Sequence, residues 1–172
     1  MAKKVQIFNN FLDQEVFLEI KKFIMSPRCQ WRYVNYIAHK DGRDNDNDGY
    51  FVHSFKDCHP QTFEDRYPES PHFPLIAKIL DKIQYQNILR IRSSLYPRRD
   101  VQKPDPFHVD YNFPHRVCIF YVNTNNGYTM FESGEKIPSV ENQLVTFDGS
   151  EKHCSVVQTD TSARYIVNIN IL

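Results

Sequence analysis

Apolar positions recur at helical spacing in two stretches of the first half of the chain. Asp13 is a good helix start, and Val16, Phe17, Ile20, Phe23 and Ile24 follow it three and four apart. Ser26-Pro27 ends that run, because proline has no N–H to continue a helix. A second helix is predicted from Ser70-Pro71, with Leu75, Ile76, Ile79, Leu80 and Ile83 on one face. Pro71 suits an early helical position, where its missing N–H costs nothing.

Near residue 87 the period changes to two. Leu89, Ile91, Ser93 and Leu95 alternate with Arg90, Arg92, Ser94 and Tyr96. Eight strands are predicted: 88–96, 107–110, 116–123, 128–132, 135–140, 144–147, 153–158 and 164–172. Turn residues separate most of them, at Asn125-Asn126-Gly127, Ser133-Gly134, Glu141-Asn142, Asp148-Gly149 and 159–162. Helices followed by short, evenly spaced strands predict an α+β chain: a double-stranded β-helix, or cupin-like jelly roll, with the N-terminal helices packed on one sheet. Nothing divides the 172 residues, so one domain is expected, helix-rich over 1–86 and carrying the jelly-roll core over 87–172.

Composition narrows the partners. Lys+Arg and Asp+Glu are both 21, so no basic surplus favours nucleic acid or an anionic membrane. No apolar run is long enough for a membrane span, and the first residues lack a signal-peptide core. Cys29, Cys58, Cys118 and Cys154 are widely spaced, with no C-x-x-C pair, which predicts free thiols and a cytoplasmic setting. In the acidic segment 39–49, Asp44, Asp46, Asp48 and Gly49 match the opening of a calcium loop. The twelfth position, which must be a bidentate Glu, is Phe55, and 50–55 reads as a strand. A solvated loop is the plainer reading.

An H-x-D triplet alone is weak evidence, and this chain has two: His39-Lys40-Asp41 and His108-Val109-Asp110. Residues i and i+2 of a strand share a face, so His108 and Asp110 on a predicted strand can reach one ion. His39 and Asp41 lie in the polar loop, and the next histidines, His53 and His59, lack a comparable sheet. His153, opening a later strand, offers a third ligand. Two imidazoles and one carboxylate leave three open positions on an octahedral iron. Arg164 follows 11 residues later, and its planar guanidinium suits the far carboxylate of a chelating dicarboxylate.

This order of H-x-D, distal His and Arg resembles the 2-oxoglutarate/Fe(II) oxygenase superfamily. Tyr96-Pro97 and Ile119-Phe120-Tyr121-Val122-Asn123 are similar to segments of its prolyl-hydroxylase branch. The likeness covers about residues 88–172. It implies Fe(II) on His108, Asp110 and His153, and 2-oxoglutarate anchored by Arg164 beside Tyr96 and Tyr121. It also implies O2 as cosubstrate and ascorbate as a further cofactor. The implied reaction is hydroxylation of a C–H bond with release of succinate and CO2. A peptidyl proline or a small molecule is the implied substrate, with no nucleic acid and no membrane. The charged, proline-rich stretch 98–107 is longer than the family pattern and is a candidate lid or substrate-contacting loop. Trp31, with Arg32, Tyr33 and Tyr36, could pack in the core or wall a substrate site.

Three rivals share parts of this pattern. Nucleic-acid dealkylases of the superfamily carry a second Arg six residues after the first, where this chain has Asn170. A cupin-like binding module would have no use for both Arg164 and the tyrosines. A zinc hydrolase would leave Arg164 without a purpose.

Overall fold

The computed structural model describes residues 5–36 and 49–172. Ten strands and two helices follow in the order β1 (Val5–Phe8), α1 (Gln14–Ile24), β2 (Arg32–Val34), β3 (Tyr50–Asp57), α2 (Phe73–Leu80), β4 (Ile88–Pro97), β5 (Arg116–Tyr121), β6 (Asn125–Phe131), β7 (Lys136–Ser139), β8 (Gln143–Asp148), β9 (His153–Val156) and β10 (Ala163–Ile171). Seven strands form one antiparallel sheet in the order β1-β8-β5-β10-β4-β3-β2, and β7-β6-β9 form a second. The two sheets enclose a jelly-roll interior. Val117, Ile119, Tyr121 and Val145 of the large sheet share a buried cluster with Phe131 and Ile137 of the small one.

The opposite face of the large sheet carries its own core. Phe17, Ile20 and Ile24 of α1 and Ile76, Ile79 and Leu80 of α2 cluster with Phe55, Ile91, Phe120, Val167 and Ile169. Each such side chain contributes about 1.5–3 kcal/mol when fully buried. Asp13 stands at the head of α1 with no side-chain cap bond. The second helix is shorter than expected: it begins at Phe73 with Pro74 in its first turn. Ser70 instead turns the chain, its hydroxyl accepting from His72 N and meeting His53 Nε2.

Three further expectations change. Residues 5–57 supply three strands of the large sheet, where mainly helices were expected before residue 87. Asn125-Asn126-Gly127 is no turn; it opens β6 with a register shift before Tyr128. There Asn125 Oδ1 accepts from Gly127 N, so these residues serve a bulge. Finally, 107–110 is not a regular strand. Its segment runs along β9 through two isolated bridges, Pro104 with Val156 and His108 with His153. Pro104 and Pro106 have no N–H to give, which breaks the ladder between the bridges.

All four cysteines are buried and free. No helix among the described residues is long and apolar enough to cross a membrane. His39, Asp41 and most of the acidic segment lie outside the described residues.

Candidate metal centre

The His108–His153 bridge builds the centre. Each backbone N–H donates to the other residue's carbonyl at 3.0 Å, and the two imidazole rings sit 4.9 Å apart. Both rings are oriented alike: Nδ1 meets Pro106 O from His108 and Glu151 O from His153, each at 3.1 Å. A ring N–H donated to a carbonyl leaves the Nε2 lone pair for a metal. Asp110 enters from the bend after the bridge, so strand alternation is not what unites it with His108. Its Oδ1 lies 3.8 Å from His108 Nε2. Ligand atoms of His108, Asp110 and His153 all lie within 4.8 Å of one another.

The large sheet holds Asp110 from the other side. Asn168 Nδ2 donates to Oδ2 at 3.2 Å, and Arg90 Nη2 lies 3.2 Å from Oδ1. Burial raises the carboxyl's pKa, but Arg90, then His153 and Arg92, outweigh it and hold it well below the usual carboxylate range. Burial keeps His153 on the neutral side against the pull of Asp110. A neutral imidazole and an ionised carboxylate are the forms that bind metal. The triad opens on a cavity of about 30 Å³, lined also by Arg92, Ser94 and Tyr96.

Arg164 lies on β10, directly across from Tyr96 on β4, and is fully buried. Its Nε donates to Ser139 Oγ at 2.7 Å, Nη1 to Ser155 Oγ at 2.9 Å, and Nη2 to Thr129 Oγ1 at 3.3 Å. Tyr121 donates to the same Thr129 oxygen at 2.7 Å. The guanidinium carbon is 5.6 Å from the ring centres of both Tyr96 and Tyr121. The two terminal nitrogens each keep a second N–H. Burial, with Tyr50 stacked at 5.1 Å, pushes the Tyr96 phenol up to about 12. Two neutral phenols therefore flank one permanent cation, which suits a carboxylate.

All six residues singled out in the sequence border this interior. Trp31 does not: it packs on the helix-backed core, 6.1 Å from Tyr165. Tyr33 is exposed on the edge strand. His53 is engaged by Gln30 O and Ser70. The 98–107 stretch is tied down, with Arg99 paired to Asp105 at 2.6 Å and Gln102 donating to Asn126 O. Residues missed in the sequence are Arg90, Arg92, Ser94 and Asn168, together with the hydroxyls of Thr129, Ser139 and Ser155. The first four repeat at period two with Tyr96 or Arg164, and that spacing was the available signal.

Comparison of structures matches the overall fold to a known architecture. A 2OG-Fe(II) oxygenase-family oxidoreductase from Burkholderia pseudomallei superposes with a TM-score of 0.70 at 12% identity, over 98% of this chain and 85% of that one. The chain has the fold of the 2OG-Fe(II) oxygenases. The viral collagen prolyl hydroxylase of Paramecium bursaria Chlorella virus-1, solved with 2OG, superposes with a TM-score of 0.61 at 14% identity, over 99% and 96%. The alpha-ketoglutarate-dependent epimerase SnoN of nogalamycin biosynthesis has the same oxygenase fold, with a TM-score of 0.64 at 10% identity over 98% and 77%. No family model and no curated protein matches the sequence.

Proposed function

We propose that this chain is a single-domain Fe(II)/2-oxoglutarate-dependent dioxygenase that hydroxylates a C–H bond and releases succinate and CO2. One observation carries the reading: three metal-ligand side chains converge, both imidazoles with Nε2 available, on an interior that also buries Arg164. His108, Asp110 and His153 would hold Fe(II). Arg164, flanked by Tyr96 and Tyr121, would take the distal carboxylate of 2-oxoglutarate. When bound, iron and 2-oxoglutarate supply the redox chemistry that lets O2 oxidise a C–H bond. The chain's own part is positional. Asn168 and Arg90 fix the Asp110 carboxylate, the backbone carbonyls of Pro106 and Glu151 fix the imidazole tautomers, and the two sheets exclude water.

The prolyl hydroxylases among the similar structures favour a peptidyl proline as substrate; a small-molecule substrate is the other candidate, and ascorbate as a supporting reductant belongs to the same proposal. The epimerase of the same fold makes product analysis essential. The test is succinate formation from 2-oxoglutarate with Fe(II) and O2. Succinate that depends on all three, and is abolished by a chelator, supports the reading. Binding of 2-oxoglutarate with no turnover identifies a cupin-like binding module. No metal-dependent binding of 2-oxoglutarate at all overturns the proposal.

A further inference from the structure

The polar interior extends beyond the residues that this reaction uses. Arg90, Arg92 and Ser94 alternate with apolar positions on β4 and share the face of Tyr96. Arg92 and Ser94 line the same cavity as His108, Asp110 and His153. Neither is satisfied: Arg92 Nε and Ser94 Oγ are buried and have no hydrogen-bond partner. Their neighbours differ. Arg90 Nε is also without a hydrogen-bond partner, but its guanidinium has a counter-charge in Asp110 at 3.2 Å, and every nitrogen of Arg164 donates to a hydroxyl. Among the described residues Arg92 makes no ion pair, and its guanidinium carbon lies 5.9 Å from the ring centre of Tyr50.

A buried guanidinium N–H and a buried hydroxyl that lack partners are costly, and such groups mark a ligand. The proposed cofactors do not provide the partner. A divalent metal adds two positive charges and a dicarboxylate removes two, so the balance around Arg92 is unchanged. One carboxylate of 2-oxoglutarate belongs to the metal and the other to Arg164. An anion is still missing. A carboxylate fits better than a phosphate: its two oxygens match a guanidinium edge and one hydroxyl, whereas a phosphate presents more acceptors than these two side chains can meet.

We infer that Arg92 and Ser94 form a subsite for the carboxylate of the primary substrate, so that the molecule oxidised is a small carboxylic acid. The inference rests on the oxygenase reading above and deepens it. It also separates a free acid from a proline within a peptide, whose own backbone carries no anion.

The test uses the 15N-labelled chain, loaded with Zn(II) and 2-oxoglutarate, and three probes: acetate, inorganic phosphate and neutral N-methylacetamide. The Arg92 Nε–H signal is assigned by its loss in Arg92→Gln. It should shift saturably with acetate and stay still with N-methylacetamide. Followed through backbone amides around Ser94, acetate binding should weaken at least about tenfold in Arg92→Gln and about threefold in Ser94→Ala. Arg92→Lys, which keeps the charge, should retain part of the affinity and guards against a folding defect. No saturable shift up to about 100 mM acetate, where even a four-atom ligand should register, overturns the subsite. So does tighter binding of phosphate than of acetate. A tenfold or greater loss of 2-oxoglutarate affinity in Arg92→Gln would place Arg92 in the cosubstrate site and overturn the subsite while leaving the oxygenase reading intact. If the unmodified chain binds neither metal nor 2-oxoglutarate, the oxygenase reading fails instead. The acetate titration of the metal-free chain then decides the subsite separately.

Discussion

The two faces of strands β4 and β10 are made from alternate residues of the same segments, yet they do opposite work. On one face, Leu89, Ile91, Val167, Ile169 and Ile171 are buried, most of them against α1 and α2. On the other, Arg164 pairs across the ladder with Tyr96, Ile166 with Ser94, Asn168 with Arg92 and Asn170 with Arg90. One face spends its positions on apolar burial. The other accepts buried charge and unmet hydrogen bonds, which a chain tolerates where function requires them. Stability and chemistry should therefore separate by residue parity, and substitutions can test that.

The largest effect should come from His108→Ala. Outer partners of metal ligands are worth 10- to 100-fold, so losing a proposed ligand should cost more than about a hundredfold in succinate formation. His108 is partly exposed, with 23% of its side chain accessible, so unfolding free energy should move by only about 1 kcal/mol or less. A large drop in stability, measured in urea alongside the assay, would contradict the separation.

Ile169→Ala tests the other face. Ile169 is fully buried, and removing a buried isoleucine side chain costs about 2–5 kcal/mol. The urea midpoint should fall accordingly, while turnover per folded molecule and the Michaelis constant for 2-oxoglutarate hold. Arg164→Lys returns to the polar face with a smaller effect. It keeps the charge but loses the planar fork and most contacts to Ser139, Ser155 and Thr129. Losing about 1.5 kcal/mol of charged hydrogen bonding corresponds to roughly a tenfold rise in the Michaelis constant for 2-oxoglutarate. An unchanged constant would remove Arg164 from the cosubstrate site.

The sequence exposes the two faces unequally. The triad candidates and Arg164 stand in a recognisable order along the chain, so they could be picked out before any geometry. The reason first given for His108 and Asp110, a shared strand face, is not what brings them together. Prolines at 104 and 106 interrupt the strand, and a backbone bridge to His153 does the positioning. Arg90, Arg92 and Asn168 were visible as a period-two pattern, but alternation alone does not say whether a polar face meets water or a closed interior. The hydroxyls around Arg164 come from β6, β7 and β9, or three separate segments, and no local pattern connects them. The strand Val5–Phe8 is four residues long, too short to declare itself without β8 beside it.

The smallest predicted effect concerns Gly127, which sits on β6 of the small sheet against the Arg164 stem. A Cβ there would lie 2.8 Å from Asn125 Oδ1, 2.9 Å from Val156 O and 3.0 Å from Arg164 Cδ. The Asn125 side chain can turn aside, but a backbone carbonyl on β9 cannot move without carrying the neighbouring Ser155, whose hydroxyl accepts from Arg164. Gly127→Ala should therefore act as mild overpacking, costing about 1 kcal/mol of unfolding free energy. Its functional signature should be a rise of about threefold in the Michaelis constant for 2-oxoglutarate, with a smaller change in metal affinity, because His108 and Asp110 lie on another segment and His153, at the far end of β9, is held by its bridge to His108. A shift in metal affinity equal to that for 2-oxoglutarate would show that the Arg164 end and the metal end of the interior move as one body, and the parity argument would then need a third, mechanical term.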